Sequence, residues 1–505
     1  MAPTHDDSYR WHEASPGVWQ RDADEAEIFY SSLIKLYEGS GRMHFAITGH
    51  ISLTIDVPEN ASPQTTADLV DKSLRAAWLC LRHELPTIAS QVKWDVGAQK
   101  WIKIYQTVPD KAAQEAWLEA TFKPISTGQT GVEWANSDPP APSVATLCVI
   151  IPPQSSPSVV RRDLVLRSPH DVIDGIGTLL LFNQFTALFA STLPHPSATF
   201  SSFLNGEETS RLSPPYRVAA KVPSILTPGQ TAKLAALRAD KAQTSSDPSV
   251  CDLTLPFTRG ALLPSRHQRV SRNLSQSQTA ALLAALKPLG ATPTHAFHAA
   301  IALTMRDIYL SHHPSSREET AITHLRYNSY LLRNERPACQ PPFNTPAHCA
   351  SVYHSVSGGK LTVTMPATAS SHSSGAAAAA EFLDALAQIK AHYHSVRDDA
   401  DHYALAPHIW ADATPSLPAS ALALDNDDDD DDTARAVPVP EPSETPSVSI
   451  SSMGVIDDRL IKPDWEGGGG GWRVRVDEPW VTGEELGNGL GVFLGTFRGR
   501  LEGQR

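Results

Sequence analysis

Apolar and polar positions follow a helical period over residues 26–37 and then alternate as two strands, 44–47 and 51–57, separated by a break at Gly49. The period returns to helical over 66–82, where Leu69, Leu74, Ala77, Trp78 and Leu81 fall on one side. Residues 91–106 predict a β-hairpin turning at 95–99: Val92 and Trp94 alternate with polar neighbours on the first arm. On the second arm Ile102 and Ile104 oppose Trp101, Lys103 and Tyr105. An uninterrupted apolar run at 144–151, closed by Pro152 and Pro153, predicts a strand buried on both faces.

The next segment changes character within a few residues. A short strand at 163–167 reaches Ser168-Pro169-His170, and after Gly175 the residues Ile176, Leu179, Leu180, Phe182, Phe185, Leu188 and Phe189 recur at helical spacing. The order is strand, turn, helix, with His170, Asp171 and Asp174 on the turn, a place where a rigid sheet commonly presents reactive groups. Residues 206–255 are rich in Ser, Pro, Thr and Lys, with one helical stretch near 231–242, and read as a connection between two halves. Helices follow at 275–289 and 295–310, and strands at 448–452, 472–476 and 490–497. The expected organisation is a first lobe over 1–210, a linker over 211–255 and a second lobe over 256–505. A solvated acidic loop is expected at about 424–447.

Composition narrows the partners. A chain of 505 residues exceeds what one core sustains, which agrees with two lobes. The net charge is −13, but Asp425 and the run Asp427 to Asp432 carry seven of those charges, leaving −6 over the remainder. Without a clustered basic face, nucleic acid is not expected as a partner. The five cysteines are widely spaced with no CxxC pair, so neither a disulfide framework nor a zinc site is expected. No His, Cys or carboxylate spacing matches a metal motif, and no permanently bound cofactor is expected. The N-terminus lacks an apolar signal core, and no run approaches the ~20 apolar residues of a membrane span. A cytoplasmic monomer is the expectation.

Three places read His-x-x-x-Asp: His170 with Asp174, His394 with Asp398, and His408 with Asp412. Only the first is followed by glycine, a pattern that composition alone produces about 0.1 times in such a chain. The other two lie in helical surroundings, where such a pair makes a surface contact of small energy. His170 sits between an apolar strand and an apolar helix. Its residue type fits a general base: an imidazole with a pKa near 6.5 takes a proton from a hydroxyl or amine and returns it to a leaving thiolate. Asp174 admits two roles, orienting the imidazole or holding the turn through an arginine, while Gly175 lets backbone and substrate approach closely.

The segment Ser168-Pro169-His170-Asp171-Val172-Ile173-Asp174-Gly175-Ile176-Gly177 resembles the HxxxDG acyltransferases, which include chloramphenicol acetyltransferase, the plant BAHD enzymes and the condensation domains of peptide synthetases. Within that superfamily the chain is most similar to stand-alone fungal members of the trichothecene O-acetyltransferase type. The resemblance implies an α/β (α+β) fold of two chloramphenicol acetyltransferase-like lobes with a tunnel between them. It implies His170 as general base, and Asp174 as a structural residue paired with an arginine of the second lobe, for which Arg326 is the candidate. Acyl-CoA is the implied co-substrate and a hydroxyl of a small molecule, expected to be a secondary metabolite, the acceptor. Pro169 stands where condensation domains carry a second histidine, which favours a free acyltransferase. Two other readings stay open: a carrier-protein-dependent enzyme of the condensation type, and a binding protein of the same fold without the reaction.

Overall fold

A computed structural model describes residues 7–59, 61–153, 156–193, 206–242, 247–257, 268–313, 322–367, 375–422, 438–467 and 471–504. The acidic run at 425–432 lies outside the described residues. The first half is organised by a six-stranded sheet in the order Asp464–Glu466, Arg473–Gly483, Ile47–Asp56, Val159–Ser168, Thr146–Ile150, Phe122–Ile125. Its strands pair antiparallel except for the last two. Helices Pro63–Glu84 and Gly175–Thr192 cover one face, burying Trp78, Phe182, Phe185 and Phe189 against Ile51, Leu53, Leu164 and Leu166. The apolar run after the turn forms the helix at 175–192, as its spacing predicts, and the strand at 146–150 is buried throughout.

Gly49 does not break the first long strand, which runs unbroken over Ile47–Asp56. A Cβ at Gly49 would lie 2.4 Å from Thr178 Cγ2 and 2.9 Å from Phe182 Cε2, so the missing side chain lets the helix at 175–192 lie close on the sheet. Tight packing, and not a turn, is what the glycine serves.

The second half places helices Pro293–His312 and Gly375–Arg397 against a three-stranded sheet ordered Leu361–Pro366, His324–Ser329, Val250–Asp252. A four-stranded sheet follows, ordered Ser271–Asn273, Arg500–Gln504, Leu490–Phe497, Val448–Val455. The two halves are not consecutive stretches of chain. Residues 464–483, read from sequence as part of the second lobe, complete the first sheet by pairing Arg473–Gly483 with Ile47–Asp56. The chain then returns to its own half at Leu490–Phe497. This exchange matters for the site, because the strands at 448–455 and 473–483 run past the turn that carries His170.

A smaller antiparallel sheet, ordered His12–Ser15, Val18–Asp22, Lys100–Gln106, Gln91–Asp95, contains the predicted hairpin and braces the helix Glu25–Tyr37. Inside that junction Arg21 makes a two-pronged bond to Glu27, 2.7 Å on each arm, and Lys103 Nζ donates to Glu27 Oε1 at 2.8 Å. Burial alone would raise the Glu27 pKa, but the two cations outweigh it and hold the carboxyl at about 2. Lys103 Nζ also donates to the Asp171 carbonyl at 2.7 Å, tying this helix to the His170 turn.

Candidate active site

The strand Val159–Ser168 ends at Pro169, which cannot donate a ladder hydrogen bond, and the turn that follows delivers His170 to the wall of a cavity of about 680 Å³. The cavity is lined from both halves, by Tyr30, Asp174 and Gly175 on one side and Tyr330, His354 and Met453 on the other. His170 is 9% exposed and its Nδ1 is fully buried, which leaves Nε2 as the ring nitrogen toward the cavity. Burial, followed by the neighbouring His354, pushes the His170 pKa down to about 3, against smaller opposing pulls from the backbone of His170, the Asp174 carboxylate and the backbone of Ile173. Burial thus favours the neutral form of the ring.

Asp174 caps the helix that follows. Its Oδ1 accepts from Gly177 N at 2.7 Å, a helix N-terminus being a favourable place for a carboxylate. Its Oδ2 accepts from Arg336 Nη1 and from Tyr353 N, both at 2.9 Å. Burial would raise the Asp174 pKa, but Arg336 and His354 hold it well below the usual carboxylate range. Among the described residues, His170 is not a hydrogen-bond partner of Asp174. The geometry thus favours turn-holding over an Asp–His pair: the carboxylate is the nail joining the motif helix to the segment at 336–353.

Arg336, and not Arg326, supplies the guanidinium. Arg326 lies on the strand His324–Ser329, whose parallel register sets it directly beside Asp252, and its Nε donates to Asp252 Oδ1 at 2.5 Å. That register commits the side chain to a neighbour on its own sheet. Arg336 occupies a short turn whose Nη2 also donates to Cys349 O at 3.3 Å, and it is buried with Asp174. The remaining two His-x-x-x-Asp pairs do not make sites: Asp398 pairs with exposed Arg397, and Asp412 with Arg238.

Two glycines follow Asp174, and they differ. A Cβ at Gly175 would meet the terminal methyl of Met453 at 2.9 Å, a flexible group that can move aside. One at Gly177 would fall 2.2 Å from the Cys349 carbonyl oxygen, which is backbone. Gly177→Ala is accordingly expected to lower stability by ~1–3 kcal/mol and Gly175→Ala by less, as measured by denaturant unfolding. Equal losses would show that the close approach at Gly177 is not a constraint.

Sequence reasoning missed Tyr30, Arg336 and His354. Tyr30 lies within a helix whose period marks it only as buried, while Arg336 opens a single 3-10 turn and His354 a three-residue strand, elements too short to show a period. Among the described residues no cluster of His, Cys, Asp and Glu could hold a metal ion, and no helix is long and apolar enough to cross a membrane.

No family model matches the chain. It is 26% identical over 369 residues to Acetyltransferase pigO of Monascus ruber, covering 71% of this chain and 69% of that protein. It is 27% identical over 346 residues to O-acetyltransferase pigM of the same organism, covering 68% of this chain and 59% of that protein. Among solved structures it is similar to TRI3 trichothecene 15-O-acetyltransferase from Fusarium sporotrichioides, with a TM-score of 0.75 and 18% identity over 99% of this chain and 93% of that one. The first condensation domain of the CDA synthetase is more distant, with a TM-score of 0.51 and 14% identity over 96% and 90% of the two chains.

Proposed function

We propose that this chain, an acyltransferase with the two-lobed fold shared by chloramphenicol acetyltransferase and the condensation domains, moves an acetyl group from acetyl-CoA to a hydroxyl of a small-molecule secondary metabolite, with His170 as general base. The observation that carries the reading is the placement of the His170 imidazole, with Nδ1 buried, on the wall of a cavity lined by both halves. Relatives named as acetyltransferases, one of them an O-acetyltransferase, support the class of reaction.

In this reading the acceptor hydroxyl gives its proton to His170 Nε2 as its oxygen attacks the thioester carbonyl carbon. A new C–O bond forms and the carbonyl oxygen takes up the electron pair. When that pair returns, the C–S bond breaks, and the departing thiolate receives the proton from the imidazolium. His170 ends neutral, the products being an ester and a free thiol. A positioned base of this kind contributes ~10²–10⁴ in rate. Asp174 and Arg336 take no part in proton transfer; they keep the turn, and with it Nε2, in place.

The test is to supply acetyl-CoA, or an acetylated phosphopantetheinyl carrier protein, with a panel of small alcohols, and to follow acceptor-dependent thiol release and ester formation. Turnover with free acetyl-CoA is expected. Turnover from the carrier alone would favour the condensation-type reading, and hydrolysis or silence with both donors across the panel would count against the proposal.

A second expectation concerns pH. A base with its pKa near 3 stays deprotonated as pH falls, so kcat/KM should lack the acid limb near 6.5 of an ordinary histidine and stay level down to about pH 5. Glu485 also lines the cavity, with burial raising its carboxyl to about 7, so the profile is best read in Glu485→Gln beside the parent. An acid limb near 6.5 persisting in both proteins would contradict the assignment.

A further inference from the structure

Two residues beside His170 are not used by the reaction as written: Tyr30 and His354. The Tyr30 ring lies flat on the His170 ring, with centroids 3.8 Å apart and planes 8° from parallel. The Tyr30 hydroxyl lies 2.8 Å from His354 Nε2, and His354 Nδ1 faces Asp174 Oδ2 at 3.7 Å. These contacts connect four side chains, Asp174, His354, Tyr30 and His170, with the His354 ring also 5.3 Å from that of His170. Both Tyr30 and His354 line the cavity, yet Tyr30 is only 5% exposed, so its ring is committed chiefly to its neighbours.

Building on the reading of His170 as base, we propose that Tyr30 is the positioning residue that fixes the plane of the His170 ring and stabilises the imidazolium formed in the reaction, and that His354 acts on catalysis through the Tyr30 hydroxyl. The physical reasons are local. A flat aromatic neighbour restricts rotation of the imidazole about its side-chain bonds, which holds Nε2 on one line of attack. The electron-rich face of a phenol attracts a cation stacked on it, and here the cation exists only after His170 has taken the proton, so the attraction is greater in the transition state than before it. The Asp174 carboxylate favours the proton on His354 Nδ1, leaving Nε2 to accept the Tyr30 O–H. Donating that hydrogen bond adds electron density to the Tyr30 ring.

The stack is anchored from behind. Tyr30 sits one helical turn after Glu27, whose bonds to Arg21 and Lys103 fix the helix, and Lys103 reaches the Asp171 carbonyl next to His170. Phe45 and Trp410 pack on the remaining edges of Tyr30, at 6.2 and 5.7 Å between ring centroids. Tyr330 and Glu485 are the other titratable groups whose charge reaches Tyr30, alongside Asp174.

The test is a set of kinetic variants in the full chain, each checked for a cooperative unfolding transition like the parent's. Tyr30→Phe keeps the stacked face and loses the hydrogen bond; Tyr30→Leu loses both. The expectation is a graded fall in kcat, roughly threefold for Tyr30→Phe and tenfold or more for Tyr30→Leu, with acceptor KM changed far less. His354→Gln should lower kcat about as much as Tyr30→Phe in the parent and by clearly less in the Tyr30→Phe background, because the part of its effect that runs through the Tyr30 hydroxyl is already missing there, while its ring, 5.3 Å from that of His170, acts directly on the base as well. Three results would overturn the inference: a Tyr30→Leu protein that keeps its kcat, one that changes only KM, or His354→Gln and Tyr30→Phe effects that multiply. His170→Ala, assayed in parallel, separates this from the underlying reading. If that variant keeps its activity the base assignment has failed, whereas an inactive His170→Ala beside an unaffected Tyr30→Leu sinks only the stacking proposal.

Discussion

His170→Ala is expected to lower kcat by ~10²–10⁴-fold while the protein still folds. The imidazole makes no hydrogen bond through Nδ1 and stacks on the Tyr30 ring with His354 beside it, so its loss leaves a small void beside Tyr30 and orphans no charge. His170→Gln refines the experiment, since it retains a polar group of similar reach that cannot accept and return the proton. Steady-state thiol release read against a thermal melt separates chemistry from folding. A variant that folds and turns over as the parent does would remove His170 from the reaction.

The largest effect on stability is expected from Arg336→Ala. Removing one partner of a buried ion pair leaves the other charged and unsolvated, a loss of ~3–5 kcal/mol. Here the stranded group is Asp174, whose carboxylate holds the helix N-terminus and the backbone of Tyr353 together. Arg326→Ala removes a partly exposed pair with Asp252, where the expectation is ~0–1 kcal/mol. Chemical denaturation of the two variants side by side measures the contrast. Asp174→Asn strands the buried Arg336 guanidinium by the same argument, so a loss of similar size is expected, eased only by the oxygen it keeps for the Gly177 amide. A similar stability loss in the Arg326 and Arg336 variants would mean that the pair at Asp174 does not organise the site.

The motif turn was legible in the sequence because it is local. Strand, proline stop, polar turn and apolar helix occupy about thirty consecutive residues, and each is written in a period or a breaker that neighbouring side chains enforce on one another. The predicted strand at 163–167 runs longer in the structure, over Val159–Ser168, because the arginines of its first half take part in ion pairs that a purely apolar reading passes over. Gly49 was misleading for a related reason: a glycine in a strand reads as a break, and only the helix lying on it reveals a contact.

Arg326 illustrates a different limit. Any arginine far along the chain is a formal candidate to pair with Asp174, and the choice is made by the register of another sheet, which hands Arg326 to Asp252 and leaves the place to Arg336. The return of residues 464–483 to the first sheet is likewise a pairing between segments more than four hundred residues apart, and nothing in the local pattern at 472–476 names Ile47–Asp56 as its neighbour.

By itself, then, the sequence determined the local elements, the two-lobed class through its resemblance, and the identity and setting of His170, Asp174 and Gly175, because these depend on residues within a few positions of one another. Tertiary structure decided which arginine pairs with Asp174, that Tyr30 stacks on His170 and that His354 stands behind it. Those contacts join residues from distant parts of the chain, and their partners are selected by sheet register and helix packing, quantities that exist only once the chain has closed on itself.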